Sequence, residues 1–116
     1  MNPQYDLEVI RSAILSGEID DAAKLIQKNM KKYERAYNIT KKEIFREHMS
    51  ILNDMMLVLE GKKGTDELRD KMLKMRIYGE DDYEAFVNSF IYILDYCLDR
   101  YNVRWPSFDG KRCDDL

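Results

Sequence analysis

The residues of this chain most able to do chemistry are one histidine and two cysteines. His48 titrates near neutrality and could serve as a general base or a pH switch. It lies, however, in the middle of the apolar arc of a predicted helix, and no GxSxG motif accompanies it. Cys97 falls on an apolar helical stripe, where a thiol behaves as a small hydrophobic residue. We therefore expect His48 to be structural, no catalytic residues, and a protein that is not an enzyme.

The sequence also offers only weak candidates for a metal site and for a phosphate-binding loop. Asp95 and Asp99 lie one helical turn apart and could bind a hard cation, but such a site needs about six oxygen ligands. The Glu-x-x-His motif of bundle di-metal sites does not occur. Residues 61–65, GKKGT, lack the spacing of a phosphate loop and follow a predicted helix rather than a strand. We expect no metal, no cofactor, and a helix–helix turn at residues 61–65.

Two tyrosines lie outside the apolar stripe of the last predicted helix, beside two aspartates. Aromatic side chains on a charged surface are typical of protein interfaces, where they often dominate the binding energy. The aspartates would steer a basic partner. A homodimer through the same surface is an alternative that the pattern leaves open. The predicted protein-binding face consists of Tyr92, Asp95, Tyr96 and Asp99, extended by Trp105.

A basic ridge is the second surface feature. Residues 24–46 contain eight basic and two acidic residues, a local charge of +6. Such a ridge could follow a phosphate backbone irrespective of base sequence. Tyr33 and Tyr37 fall on the opposite, apolar side of the helix, where they could not stack on bases. We interpret the ridge as solvated surface, with an acidic protein as its next candidate partner. It consists of Lys24, Lys28, Lys31 and Arg35, at steps of four, three and four.

The elements that must position these groups are helices. Apolar residues recur at steps of three or four, and the two prolines lie near the chain ends. Gly17, Gly61 and Gly79 mark turns, and Thr40 opens a Thr-x-x-Glu capping box. The predicted helices span residues 3–16, 19–37, 41–60, 66–78 and 82–101.

No segment alternates with period two, and 116 residues suit one domain. The sequence therefore predicts an all-α, single-domain antiparallel bundle of about five helices over residues 1–101. Residues 102–116 form a short, irregular C-terminal tail, which we expect to pack partly on the bundle through Trp105 and Phe108.

Charge and composition bear on the cellular setting. The net charge of −3 divides into +2 over residues 1–78 and −5 over residues 79–116, which suggests two faces of opposite sign. The start of the chain lacks a secretory pattern, and the most apolar segment is too short to span a bilayer. Two cysteines without a CxxC motif fit a reducing cytoplasm, where both remain thiols. We predict a cytoplasmic protein without membrane association.

Taken together, these features favour a small non-catalytic binding module, a regulator or inhibitor that acts by occupying the surface of a partner protein. This inference rests partly on analogy with other small acidic bundles, a fold-level argument. The alternative is a nucleic-acid-associated protein that uses the basic ridge.

Overall fold

The computed structural model describes residues 2–75 and 83–101, with side chains in the last helix as far as Leu98. The described residues form helices and contain no strand, which confirms the predicted all-α bundle. The helices are α1 (Pro3–Leu15), α2 (Ile19–Thr40), α3 (Glu43–Leu59), α4 (Thr65–Lys74) and α5 (Tyr83–Tyr101).

The first turn of the bundle shows how local sequence sets the helix ends. Asn2 caps α1 by accepting a hydrogen bond from the Tyr5 backbone N–H at 3.2 Å, and Pro3 occupies the first turn, where no intrahelical donor is lost. After Leu15 the chain reverses at Gly17, which has a φ of 78°. Glycine takes this left-handed conformation without steric cost, so α2 can begin at once.

The junction between α2 and α3 differs from the prediction. The helix α2 continues through Asn38 to Thr40, three residues beyond the expected end. The Thr40 hydroxyl donates to the Ala36 carbonyl at 2.8 Å and accepts from the Lys42 backbone N–H at 3.3 Å. The N-cap of α3 is Lys42, so Thr40 does not cap this helix as expected. The chain turns instead at Lys41, with a φ of 57°, and Lys42 precedes α3. The threonine hydroxyl therefore bonds on both sides of the junction, to its own helix and to the residue that precedes α3.

Contacts along the chain establish the topology. Asp6 near the start of α1 meets Lys32 in the second half of α2, so these two helices run antiparallel. The first residue of α4, Thr65, likewise contacts Asp95 near the end of α5. Each helix packs on its neighbours in sequence, and α5 returns to pack on α1. The most deeply buried core side chains include Leu7, Ile10, Ile26, Tyr33, Ile51, Leu52, Leu68, Met72, Val87 and Phe90.

Three other predictions concern the end of α4, the state of the cysteines and the presence of a membrane-spanning helix. Helix α4 ends at Lys74, and the remainder of its predicted range beyond Met75 lies outside the described residues, as does the predicted tail, residues 102–116. Cys97 is disulfide-bonded, so the expectation that both cysteines remain thiols is wrong; sequence spacing does not report which sulfurs meet in space. In the described part of the chain, no helix combines the length and apolar character needed to cross a bilayer.

Candidate functional site

The outer side of α5 is held in place by helices on both of its flanks. On the α1 flank, the Arg11 Nη2 donates to Ser89 Oγ at 3.1 Å, and the guanidinium carbon lies 5.8 Å from the centre of the Phe86 ring. On the α4 flank, the Arg69 Nε donates to Asn88 Oδ1 at 2.7 Å. Because these hydrogen bonds hold α5 against helices on two sides, one strip of its surface faces solvent.

Two tyrosines occupy this strip. Tyr92 is 72% exposed and Tyr96 is 48% exposed, one helical turn apart. Leu15, the last residue of α1, is 64% exposed beside them. We call Leu15, Tyr92 and Tyr96 the tyrosine face. Exposed apolar residues scattered singly are ordinary, but three grouped together suit a contact with another molecule.

A groove runs along the α1 side of the tyrosine face, with a volume of about 240 Å³. Its floor includes Cys97, whose Sγ lies 3.6 Å from the Ile14 carbonyl oxygen. The groove is lined by Leu15, Tyr92, Ile93, Tyr96 and Cys97. Its mainly apolar lining would accept an apolar side chain rather than a charged group.

The aspartates of the predicted face are placed differently from the tyrosines. Asp95 is half-buried, and its Oδ1 accepts a hydrogen bond from Thr65 Oγ1 at 2.6 Å, on the α4 flank. It therefore has an internal partner at the start of α4. The side chain of Asp99 and all of Trp105 lie outside the described residues. The structure thus brings Tyr92 and Tyr96 together, and the role of the aspartates in binding stays a prediction.

The basic ridge lies on the exposed side of α2. Lys24 has an acidic neighbour, Asp20, at 3.9 Å, but both side chains are at least half exposed, so the pair contributes little. Tyr33 is 0% exposed and turned into the core, as expected. All four ridge residues are exposed: Lys24, Lys28, Lys31 and Arg35.

A recess separates the ridge from α3. Its volume is about 430 Å³, and Met30 and Met49 give it an apolar floor. Gln27, Lys31 and Glu34 surround that floor with one positive, one negative and one neutral side chain. The rim therefore carries no net charge, which gives the recess no preference for an anionic ligand.

The side chains whose types most resemble those of a catalytic site form a cluster between α1, α2 and α3. The Tyr33 hydroxyl donates to Asp6 Oδ2, which also binds the Lys32 ammonium at 3.1 Å. The His48 ring packs edge-on against Tyr33, with ring centres 4.3 Å apart. His48 is 0% exposed. The cluster joins α1, α2 and α3; its two rings are buried, whereas the side chains of Asp6 and Lys32 are 13% and 39% exposed.

Burial governs the protonation of this cluster. Burial lowers the pKa of His48 to about 4, with Lys32 adding to the decrease and Asp6 opposing it. Burial and the hydrogen bond to Asp6 raise the pKa of Tyr33 above its ordinary value. At neutral pH both rings are therefore uncharged. A general base must reach the proton that it removes, and neither ring is accessible in this arrangement.

A buried carboxylate on α3 is a feature that the sequence analysis missed. Asp54 is 3% exposed, and its Oδ2 lies 3.1 Å from the Lys63 Nζ and 2.9 Å from the Lys71 Nζ. It joins α3 to the following turn and to α4. The signal was its spacing of three from Ile51 and four from Val58, which places it on the inward arc.

Neither metal ligation nor similarity to known proteins points to a further functional site. Among residues whose placement is described, no three His, Cys, Asp or Glu side chains are grouped so that they could hold a metal ion. In comparisons with known proteins, no family model, no curated protein and no solved structure matches the chain.

Proposed function

We propose that this protein is a small non-catalytic helical module that binds a partner protein through the tyrosine face and regulates or inhibits it by occupying its surface. The observation that supports this proposal is the exposure of Tyr92 and Tyr96 beside Leu15, on a helix packed from both flanks. A rigid aromatic pair is costly to leave in water and loses little conformational entropy when a partner covers it.

The size of the tyrosine face indicates its place in an interface. A tyrosine offers about 150–250 Å² of surface, whereas a stable interface buries about 800 Å² on each partner. The three residues therefore suit the centre of an interface. Its rim would come from exposed polar residues on or directly after the same two helices, among them Ser12, Ser16, Glu84 and Asn88.

The proposed partner is a basic protein. Residues 79–116 carry a net charge of −5, and this segment includes α5. Opposite charge accelerates encounter at low ionic strength. A second copy of the chain is the alternative occupant of the face.

The cytoplasmic location stays a prediction, and the disulfide at Cys97 argues against it because reducing compartments keep thiols reduced.

Nucleic-acid binding through the basic ridge is the second candidate function. The four exposed basic side chains along α2 favour it, since phosphate contacts need accessible Lys and Arg. The net charge of −3 and the burial of Tyr33 weigh against it. Its salt dependence would be steep, which gives a simple discriminating assay.

The test is a quantitative pull-down from native lysate with three variants. The pair Tyr92→Ala with Tyr96→Ala should reduce recovery of the partner at least tenfold, since aromatic anchors each contribute about 2 kcal/mol or more. Tyr5→Ala is the matched control, because Tyr5 is 60% exposed on the opposite end of α1 from Leu15. It should bind like the wild type.

The pair Lys28→Glu with Lys31→Glu separates the two candidate functions. Loss of the partner in the lysine pair alone, or retention on duplex DNA or RNA that this pair abolishes, would transfer the function to the ridge. Sedimentation of the purified protein shows whether the tyrosine pair instead breaks a homodimer.

A further inference from the structure

The junction of α2 and α3 projects beyond the start of α1. Asp6 in α1 forms an ion pair with Lys32 in α2 at 3.1 Å. Pro3, the first residue of α1, lies three positions before Asp6. Thr40, the last residue of α2, lies eight positions after Lys32. At roughly 1.5 Å per residue, α2 extends about 8 Å further than α1 at this end. The residues that join α2 to α3 therefore stand clear of α1.

An apolar side chain and two cations are exposed together at this junction. Ile39 is 83% exposed, more than any other large hydrophobic side chain among the described residues. Lys41 and Lys42 are exposed as well, and within the described part of the chain neither forms an ion pair with a carboxylate. We call Ile39, Lys41 and Lys42 the hairpin tip.

Lys41 adopts a backbone conformation that glycine usually takes at the end of a helix. Its φ is 57°, and in the described ranges it is the one residue other than glycine with a positive φ. A residue with a Cβ is strained in this left-handed region. The Lys41 ammonium lies 5.3 Å from the centre of the Tyr37 ring, which restrains the side chain. A strained backbone that presents an exposed cation suggests that the cation itself is used.

The charges beside the hairpin tip favour a protein segment over a uniformly anionic surface. Glu43 follows Lys42 directly and pairs with Arg46 at 3.0 Å. This carboxylate would repel a phosphate backbone or an anionic bilayer, which carry negative charge throughout. A peptide, in contrast, can place an uncharged residue opposite Glu43 and its carboxylates opposite the lysines.

The aromatic residues near the tip also argue against nucleic acid. Residues 35–46 contain two aromatic side chains, Tyr37 and Phe45, and both are partly buried, so neither is free to stack on bases. The side chain that is exposed is Ile39, which offers an apolar contact that a phosphate group cannot use.

We propose that the hairpin tip binds an acidic segment of another protein, with carboxylates paired to Lys41 and Lys42 and an apolar side chain packed on Ile39. Charge attraction brings the segment to the tip, and the apolar contact selects it among acidic segments. The tip lies beyond the start of α1, whereas Leu15 of the tyrosine face ends that helix, so both surfaces can be occupied at once. This inference does not rest on the proposed function.

Fluorescence anisotropy with a synthetic peptide tests the proposal. The probe is a short labelled peptide in which one leucine lies between glutamates, and the same peptide with serine in place of leucine is its control. The full chain should bind the leucine peptide about tenfold more tightly, and added salt should weaken binding. Ile39→Ser should remove this preference. Leu15→Ser is the matched variant on the tyrosine face, where Leu15 is 64% exposed, and it should leave the preference unchanged.

Lys41→Gly separates binding from stability. The affinity for the leucine peptide should fall about threefold, the effect of losing one exposed charge pair. The urea midpoint should stay the same or rise, because glycine takes the left-handed conformation freely. Lys62→Gly removes a cation that is 67% exposed after α3, and it should not change the affinity. A lower midpoint for Lys41→Gly would mean that Lys41 serves the helix end, and would overturn its role in the tip.

The peptide and two anionic probes decide the identity of the partner. Absence of binding to the leucine peptide, equal binding of the leucine and serine peptides, or binding that Ile39→Ser leaves unchanged would contradict the proposal. Tighter binding to duplex DNA or to phosphatidylserine vesicles than to the leucine peptide would overturn it in favour of a phosphate-bearing surface.

Discussion

His48 illustrates how burial turns a chemically versatile side chain into a packing residue. It contacts Tyr33 from α2 and senses Asp6 and Lys32, so three helices surround one imidazole. Its position on the apolar arc of α3 was visible in the sequence. The pairing of Tyr33 with Asp6 was not, because the two are 27 positions apart and only the α1–α2 packing brings them together.

The low pKa of His48 predicts acid sensitivity. In the unfolded chain the imidazole binds a proton below pH 6.5, whereas in the folded protein it does so only below about 4. Between these values the unfolded state binds more protons, so the free energy of unfolding falls as the pH falls, by about 3 kcal/mol in total. Urea unfolding at several pH values between 4 and 7 measures this decrease.

His48→Leu is the comparison that assigns the acid sensitivity to this residue. The variant keeps an apolar side chain in the core but cannot bind a proton, so its unfolding free energy should vary less between pH 4 and 6.5. Carboxylates contribute equally in both proteins and cancel in the difference. An unchanged pH dependence would show that His48 is accessible to protons in the folded state.

Asp54 is predicted to be a stability determinant. Asp54→Ala removes the shared partner of two lysines whose side chains are 27% and 28% exposed. Breaking a fully buried ion pair costs about 3–5 kcal/mol, and partial exposure of the lysines should reduce this to roughly 2 kcal/mol. Urea unfolding at pH 7 measures the loss.

Lys62→Ala provides the surface control for Asp54→Ala. Lys62 pairs with Glu60 at 3.3 Å, but its side chain is 67% exposed. Such a pair contributes at most about 1 kcal/mol. Equal losses in the two variants would mean that the Asp54 pairs are as weak as surface pairs.

At the level of elements, helical periodicity predicted all five helices, because nearly every inward residue repeats at steps of three or four. The boundaries were less predictable. Thr40 matched a capping box, yet it is the last residue of α2, where its hydroxyl donates to the Ala36 carbonyl one turn earlier. Leu15 follows the stripe residue Ile14 and was overlooked, since only the return of α5 to α1 gives it neighbours.

The contact between Thr65 and Asp95 should stabilise the pairing of α4 with α5. Thr65→Val retains the shape of the side chain but removes the hydroxyl donor, and we expect a loss of about 1 kcal/mol in unfolding free energy. Asp95→Ala should cost a similar amount, and the two losses should not add in the double variant. Additive losses would mean that the two side chains do not interact.

This double-mutant cycle also bears on the predicted binding role of Asp95. A carboxylate engaged by Thr65 can still contribute charge to the surface, but its position is set by α4. If Asp95→Ala weakens partner capture more than Thr65→Val does, at equal stability, the charge itself acts in binding. Equal capture by the two variants would restrict Asp95 to a structural role.

For the whole molecule, the central feature is an asymmetry between its surfaces. The charged exposed side of α2 interacts well with water, whereas the tyrosine face exposes three large apolar side chains on one side of the bundle. The tyrosines were predictable because they depart from the apolar stripe of α5. Their association with Leu15 depends on the closure of α5 against α1, which no local pattern encodes.

Site-specific photo-cross-linking in native lysate tests the central claim most directly. A benzophenone amino acid is placed at position 92, and separately at positions 5 and 28 as controls on α1 and on the basic ridge. The account predicts a discrete adduct with another protein at position 92 that is weak or absent at positions 5 and 28. Adducts confined to position 28, or at position 92 only an adduct of twice the mass of the chain, would contradict it.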